Sequence, residues 1–122
     1  MNKEQIILIV INDAPYGTEK AYNALRLAMT LVAEHQDKIR TRVFLMADAV
    51  GCAVPDQITP KGYYNIETML KFILEEKAEV RACGGCLNAR GLSEIKLIEG
   101  ILPSNMVEFT EWTVEADKII SF

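Results

Sequence analysis

Residues 6–32 read IILIVINDAPYGTEKAYNALRLAMTLV. Ile6 to Ile11 is an unbroken apolar run, mostly β-branched, with no polar alternation. Such a run reads as a strand buried on both faces, the kind found in parallel sheets. It ends in a turn cluster, Asn12 to Gly17. Thr18 then reads as a helix N-cap, with Glu19 in the first turn suiting the helix dipole. Ala21, Ala24, Leu25, Ala28 and Val32 follow helical spacing, which predicts a helix over residues 18–35. Its buried face is mostly alanine, so it can lie close against a sheet.

The same alternation continues along the chain. Arg42 to Met46 reads as a second strand. Asp48 to Lys61, containing Gly51, Pro55 and Pro60, reads as a long irregular segment of the kind that carries function or an interface. Ile66, Met69, Leu70, Ile73 and Leu74 form the clearest helical stripe, with Asn65 as its cap. Glu79 to Ala82 reads as a third strand, and Ile98 to Leu102 as a short fourth. Ser104 then caps a helix to about Ala116 that turns Phe109, Trp112 and Thr113 towards the core, and Lys118 to Phe122 forms a last strand. The pattern predicts one α/β domain over residues 1–122. It is a three-layer α/β/α sandwich on a mostly parallel, five-stranded sheet with right-handed crossovers.

Composition narrows the function. The 122 residues are 50% hydrophobic and 25% charged, ordinary for one soluble globular domain. The net charge of −4 and the lack of any basic tract longer than two residues speak against a nucleic-acid surface. The longest apolar run, Ile6 to Ile11, falls far short of the ~20 residues needed to span a membrane. The start, MNKEQIILIVIND, does not read as a signal peptide, because its apolar stretch leads straight into a polar turn. The expected compartment is the cytoplasm, where a CxxC is more often catalytic or metal-binding than a structural disulfide. There is no GxGxxG after the first strand and no Walker-type loop, so no cofactor is expected.

Chemistry concentrates in residues 80–91, VRACGGCLNARG. In a parallel sheet, functional groups gather beyond the carboxyl ends of the strands. The segments after strands one, two and three therefore bring Asn12, Asp13, Cys52, Cys83 and Cys86 towards one edge. Cys83 sits where a strand meets Gly84 and Gly85, glycines that permit positive φ and close approach of backbone amides. A helical turn over Cys86 to Arg90 aims its free N–H groups at the Cys83 sulfur, a setting that favours a reactive thiolate. Arg90 adds a positive charge if its side chain folds back. The single histidine, His35, falls near the end of the first helix, at the opposite edge, so a Cys–His pair is not expected.

Three chemistries fit these residues. One is nucleophilic, with Cys83 as the attacking sulfur. A second is dithiol–disulfide exchange between Cys83 and Cys86. In the thioredoxin-like version of that chemistry a cis-proline faces the motif, and Pro103 is the one proline downstream of it. The third is a metal- or ligand-binding oligomer. There CxxC supplies half of a four-ligand zinc site, and Cys52 and His35 are the residues left to complete it, neither at a recognisable spacing. Asp13 and Asp48 each follow a strand and read as loop or capping carboxylates. Tyr63 and Tyr64, an aromatic pair beside the long loop, read as a subunit contact.

Several segments together resemble the DsrE/DsrF-like family, with its TusD-type sulfur-relay subunits and YchN-like branch. They are the apolar strand with NDAPYGTEKAYNALRLA, then FLMADAV, then GYYNIETMLKFILEEKAEVRACGGCLNARGL, and the closing EWTVEADKIISF. The resemblance covers essentially the whole chain. The CxxC followed by Ala-Arg-Gly brings it nearer the YchN-like branch. It implies a five-stranded parallel sandwich that assembles into homotrimers or homohexamers, and a sulfur-carrying cysteine that exchanges sulfur with donor and acceptor proteins. In relay subunits that cysteine lies eight residues before the glycine of the Arg-Gly pair, which here is Cys83. Relay subunits typically have alanine where this chain has Cys86. That departure leaves both persulfide carriage and disulfide exchange open.

Overall fold

The computed structural model describes residues 4–122. Residues 1–3, the beginning of the stretch read above as no signal peptide, lie outside the described residues. The elements run β1 (Gln5–Ile11), α1 (Lys20–Glu34), β2 (Ile39–Leu45), a 3-10 segment (Ala47–Ala53), α2 (Ile66–Glu75), β3 (Glu79–Cys83), α3 (Gly84–Ala89), β4 (Leu102–Ser104), α4 (Met106–Glu115) and β5 (Lys118–Ser121). They form one five-stranded, all-parallel sheet in the order β4-β3-β2-β1-β5. Among the described residues no helix is long and apolar enough to cross a membrane.

The apolar run at the start behaves as its composition demands. Ile7, Ile9 and Ile11 join the main core with Ala21, Ala24, Leu25 and Ala28 of α1 and Ile66, Leu70 and Ile73 of α2. Leu8 and Val10 point the other way, to Phe44 of β2 and Trp112 of α4. Strand side chains alternate between faces, so a run apolar at every position requires cover on both sides. Handedness then distributes the helices. The β1-α1-β2 and β2-α2-β3 crossovers step in one direction and place their helices on one face. The β4-α4-β5 crossover steps back across the sheet, so a right-handed path puts α4 on the opposite face. The result is the three-layer sandwich.

Several boundaries differ from the sequence reading. β2 begins at Ile39, three residues early, because Ile39 to Thr41 are needed to match β1 from Gln5↔Ile39 to Ile11↔Leu45. Thr18 is not the cap of α1: Glu19 occupies that position without a side-chain bond and outside the first turn, while the Thr18 hydroxyl donates to Asp13 Oδ2 at 2.9 Å. The first half of the long loop is the 3-10 segment, with Ala49, Val50, Cys52 and Ala53 buried. The fourth strand is Leu102–Ser104, not Ile98 to Leu102. Ile98 and Ile101 instead plug the main core, and the strand register falls on Arg81↔Leu102, Ala82↔Pro103 and Cys83↔Ser104. Pro103 is tolerated there because β4 is an edge strand. The cap of α4 is Asn105, whose Oδ1 accepts the Glu108 N–H at 2.9 Å, while the Ser104 hydroxyl bonds the Glu108 carboxylate. Trp112 is buried and Phe109 half-buried on α4, but Thr113 is exposed and returns its hydroxyl to the Phe109 carbonyl. Asn65 caps α2 as the spacing predicts, accepting the Thr68 N–H at 3.0 Å.

The α4 face carries a charged cluster at the lower end of the sheet. Arg42 is buried, its Nη1 2.6 Å from Glu115 Oε1 and its Nε 3.3 Å from Glu79 Oε1. Arg40 reaches the same Glu79 oxygen at 2.7 Å. The Arg42 guanidinium stacks 5.0 Å from the centroid of Trp112. Burial works against the Glu79 carboxylate, but the Arg40 hydrogen bond and the Arg42 charge outweigh it and hold its carboxyl below the usual range. A depressed folded-state value contributes stability above the unfolded pKa of about 4.3, and that contribution is lost as pH falls through the folded value. Glu79→Gln therefore loses roughly 1–3 kcal/mol at neutral pH, the worth of hydrogen bonds to charged groups. The gap to wild type closes in acid; urea midpoints at pH 7 and at about pH 3 check it.

Candidate functional site

The β3–α3 junction needs no loop. Cys83 ends β3 and is the N-cap of α3, whose first residue is Gly84. The helix thus starts two residues earlier than the sequence predicts. Gly84 and Gly85 lie inside it and are not among the residues with positive φ, so the expected left-handed hinge is absent from this position. What Gly84 provides is close approach: a Cβ there would lie 2.9 Å from the Ser104 carbonyl oxygen of β4. At Gly85 a Cβ would meet nothing within 4 Å.

This start gives the CxxC spacing a physical meaning. With Cys83 at the N-cap, Cys86 is the third helical residue, and N-cap side chains accept the N–H at that position. The Cys86 N–H accordingly donates to Cys83 Sγ at 3.4 Å. Cys86 Sγ in turn accepts the Ala47 N–H at 3.3 Å. The hydrogen bond that the Cys86 thiol makes to the Cys83 sulfur pushes the Cys86 pKa up, and burial adds to this; the Ala47 N–H and the Arg90 charge oppose it without cancelling it. Cys86 is therefore a weaker acid than a free thiol, and the Cys83 sulfur receives the Cys86 N–H. Both are free and half-buried.

Arg90 folds back over this turn. Its Nη1 donates to the Cys86 carbonyl at 3.1 Å, and its Nε and Nη2 lie 2.9 and 2.8 Å from Asp48 Oδ1. Asn12 and Asp13 are engaged elsewhere. The Asn12 amide ties the end of β1 to β5, donating to Ser121 Oγ and the Phe122 carbonyl. Asp13 accepts from Thr18 and lies 4.0 Å from Lys20 Nζ. Cys52 is fully buried in the main core, and burial pushes its thiol up to about 12, so it is neutral across the physiological range. His35 caps the C-terminal end of α1, where its carbonyl accepts the Lys38 and Ile39 N–H groups below β2. Among the described residues, no three His, Cys, Asp or Glu side chains converge in a geometry that would hold a metal ion.

Tyr63 and Tyr64 stack on their own chain: their centroids are 4.5 Å apart, and Tyr64 lies 4.1 Å from Tyr22. Tyr63 stays exposed.

The sequence reading lacks two contacts around the thiols. Ala47 and Asp48 come from the segment after β2, and nothing local marks a backbone N–H as a partner for a sulfur 39 positions away. Arg81 lies on the same strand as Cys83 but contacts α4 and not the thiols. It precedes Cys83 by two on β3, so it projects from the same sheet face. Its guanidinium lies 5.3 Å from the Trp112 centroid.

Comparison with known proteins places this geometry. The family model described as "DsrE/DsrF-like family" matches residues 5–122. The chain is 41% identical over 118 residues to Protein YchN of Escherichia coli K12, covering 97% of this chain and 99% of that protein. It is 40% identical over 117 residues to an uncharacterized protein of Methanopyrus kandleri, covering 96% of this chain and 93% of that one. The crystal structure of the E. coli ychN protein superposes with a TM-score of 0.91, at 40% identity, over 97% of this chain and 99% of that one. A conserved protein of unknown function from Bacteroides thetaiotaomicron shares the fold, with a TM-score of 0.66 at 17% identity over 95% of this chain and 94% of that one.

Proposed function

The chain belongs to the DsrE/DsrF-like family, and from that premise we propose that it is a cytoplasmic sulfur-transfer protein that carries sulfane sulfur on Cys83. The observation that carries the reading is the Cys83 sulfur at a strand end and helix N-cap, accepting the Cys86 N–H at 3.4 Å. A sulfur at a helix start that accepts a backbone N–H is met by a donor as it takes on negative charge.

The chemistry is exchange at sulfur. The Cys83 thiolate attacks the outer sulfur of a donor persulfide, R–S–SH. The donor's S–S bond breaks and its thiolate leaves. Cys83 is then Cys83–S–SH, and its outer sulfur is attacked by an acceptor thiolate, which returns Cys83 as a thiolate. No electrons are gained or lost overall. Donor and acceptor proteins are the expected partners, and the assembly is a homotrimer or homohexamer.

Cys86 supports a second reading, as half of a dithiol–disulfide couple. Its backbone N–H donates to the Cys83 sulfur at 3.4 Å, so the two cysteines share one helical turn. A Cys86 thiolate attacking the inner sulfur of the Cys83 persulfide would form the Cys83–Cys86 disulfide and release hydrosulfide. Mass spectrometry of protein treated with inorganic polysulfide tests the leading reading. Sulfur retained on the Cys83 peptide favours carriage, and an intramolecular disulfide as the sole product favours exchange.

A further inference from the structure

We infer that Asp48 and Arg90 form a positioning clamp that holds the Ala47 N–H on the Cys86 sulfur and so governs how readily Cys86 attacks its neighbour. This rests on the reading of Cys83 and Cys86 above and deepens it.

The contacts close a ring. Arg90 Nη1 holds the Cys86 carbonyl at 3.1 Å, and its Nε and Nη2 hold Asp48 Oδ1 at 2.9 and 2.8 Å. Asp48 is joined by one peptide bond to Ala47, whose N–H returns to Cys86 Sγ at 3.3 Å. Ala47 has φ +53°, a left-handed conformation uncommon in residues other than glycine. Such a conformation persists where its surroundings over-determine it. Two constraints flank Ala47. On one side the Met46 N–H is bonded to the Ile11 carbonyl at 2.8 Å, and on the other stands the Asp48–Arg90 pair.

The pair does not hold the fold together. The Asp48 side chain is 68% exposed and that of Arg90 35%, and ion pairs so exposed contribute about 0–1 kcal/mol. Its effect is local and directional. The charged and titratable groups around Cys86 are Cys83 from β3, Asp48 from the 3-10 segment and Arg90 on its own helix. While Cys86 is a thiol, the Ala47 N–H fills its acceptor side and leaves its proton for Cys83. Once Cys86 ionises to attack a Cys83 persulfide, the same N–H and the Arg90 charge stabilise the thiolate. Without the clamp Ala47 can relax to negative φ and its N–H turns away.

The test uses full-length protein carrying Cys52→Ala, loaded with inorganic polysulfide and then freed of it. Hydrosulfide release on closure of the Cys83–Cys86 disulfide is followed against pH. Arg90→Gln is expected to slow closure about tenfold and raise the midpoint of its pH profile, as loss of hydrogen bonding to a charged group implies. Asp48→Ala should do nearly the same, and the double variant no more than either single one, because the residues act as one unit. Arg90→Lys restores part of the pH midpoint but not the rate, since lysine keeps the charge and loses the fork. Wild-type rates and midpoints in both single variants, or additive effects in the double, overturn the clamp. If wild type takes up no sulfur, the carrier reading fails, and the clamp is tested by the same comparison with diamide. Diamide takes two electrons and two protons from the dithiol: Cys83 adds to its N=N bond and Cys86 displaces the hydrazine.

Discussion

Cys83→Ser protein treated with inorganic polysulfide takes up no sulfur at the β3–α3 junction, whereas wild type gains the mass of one sulfur atom on the peptide that carries residue 83. The substitution isolates chemistry from folding. Serine is among the best N-cap residues, and its oxygen can accept the Cys86 N–H that Cys83 Sγ now accepts at 3.4 Å. The helix start survives, and the variant folds. What it loses is a sulfur nucleophile that forms stable S–S bonds. Cys86→Ser gives the opposite result. It loads at Cys83 and holds the sulfur at least tenfold longer, about 1.4 kcal/mol in barrier, because no neighbouring thiol attacks the inner sulfur. Equal loading of Cys83→Ser and wild type at this junction would sink the assignment of Cys83.

Gly84→Ala is expected to destabilise the protein by roughly 1–3 kcal/mol, the usual cost of forcing an extra methyl into a filled space. A Cβ at Gly84 would lie 2.9 Å from the Ser104 carbonyl. That oxygen belongs to the backbone of β4, so relief requires β3 and β4 to separate or α3 to tilt. Either movement displaces Cys83, which faces Ser104 in the register. Sulfur loading should fall together with stability. Gly85→Ala is the matched control. Gly85 is helical, and a Cβ there meets nothing within 4 Å. It should stabilise by about 0.5–1 kcal/mol through helix propensity alone. Thermal unfolding of the two variants checks the pair, and a Gly84→Ala protein as stable as wild type would refute the close-packing argument.

Much of the fold was legible because it rests on local periodicity. An apolar residue at every position of Ile6 to Ile11 demands burial on both faces. The Ile66, Met69, Leu70, Ile73 stripe defines the core face of α2, and Asn65 caps it. Legibility failed where a side chain had two competing partners. Thr18 donates to Asp13 and accepts the Lys20 N–H from one residue outside the cap position; Ser104 bonds Glu108 and leaves the cap to Asn105. It failed also at the fourth strand, where apolar residues at 98 and 101 pack into the core and the strand itself is Leu-Pro-Ser.

The site divides along the same line. The sequence alone determined that two cysteines flank two glycines at a strand-to-helix junction, with an arginine four residues after the second. That is local information, carried by spacing and turn chemistry. Only the tertiary structure decided that the glycines are helical and that Gly84 is small because β4 passes it. It also removed Cys52 into the core, and brought Ala47 and Asp48 from the end of β2 to the Cys86 sulfur and Arg90. Those contacts join segments about forty residues apart. They follow from the parallel register of β2 and β3, which aligns the two strand ends at one edge, and no local pattern encodes that register.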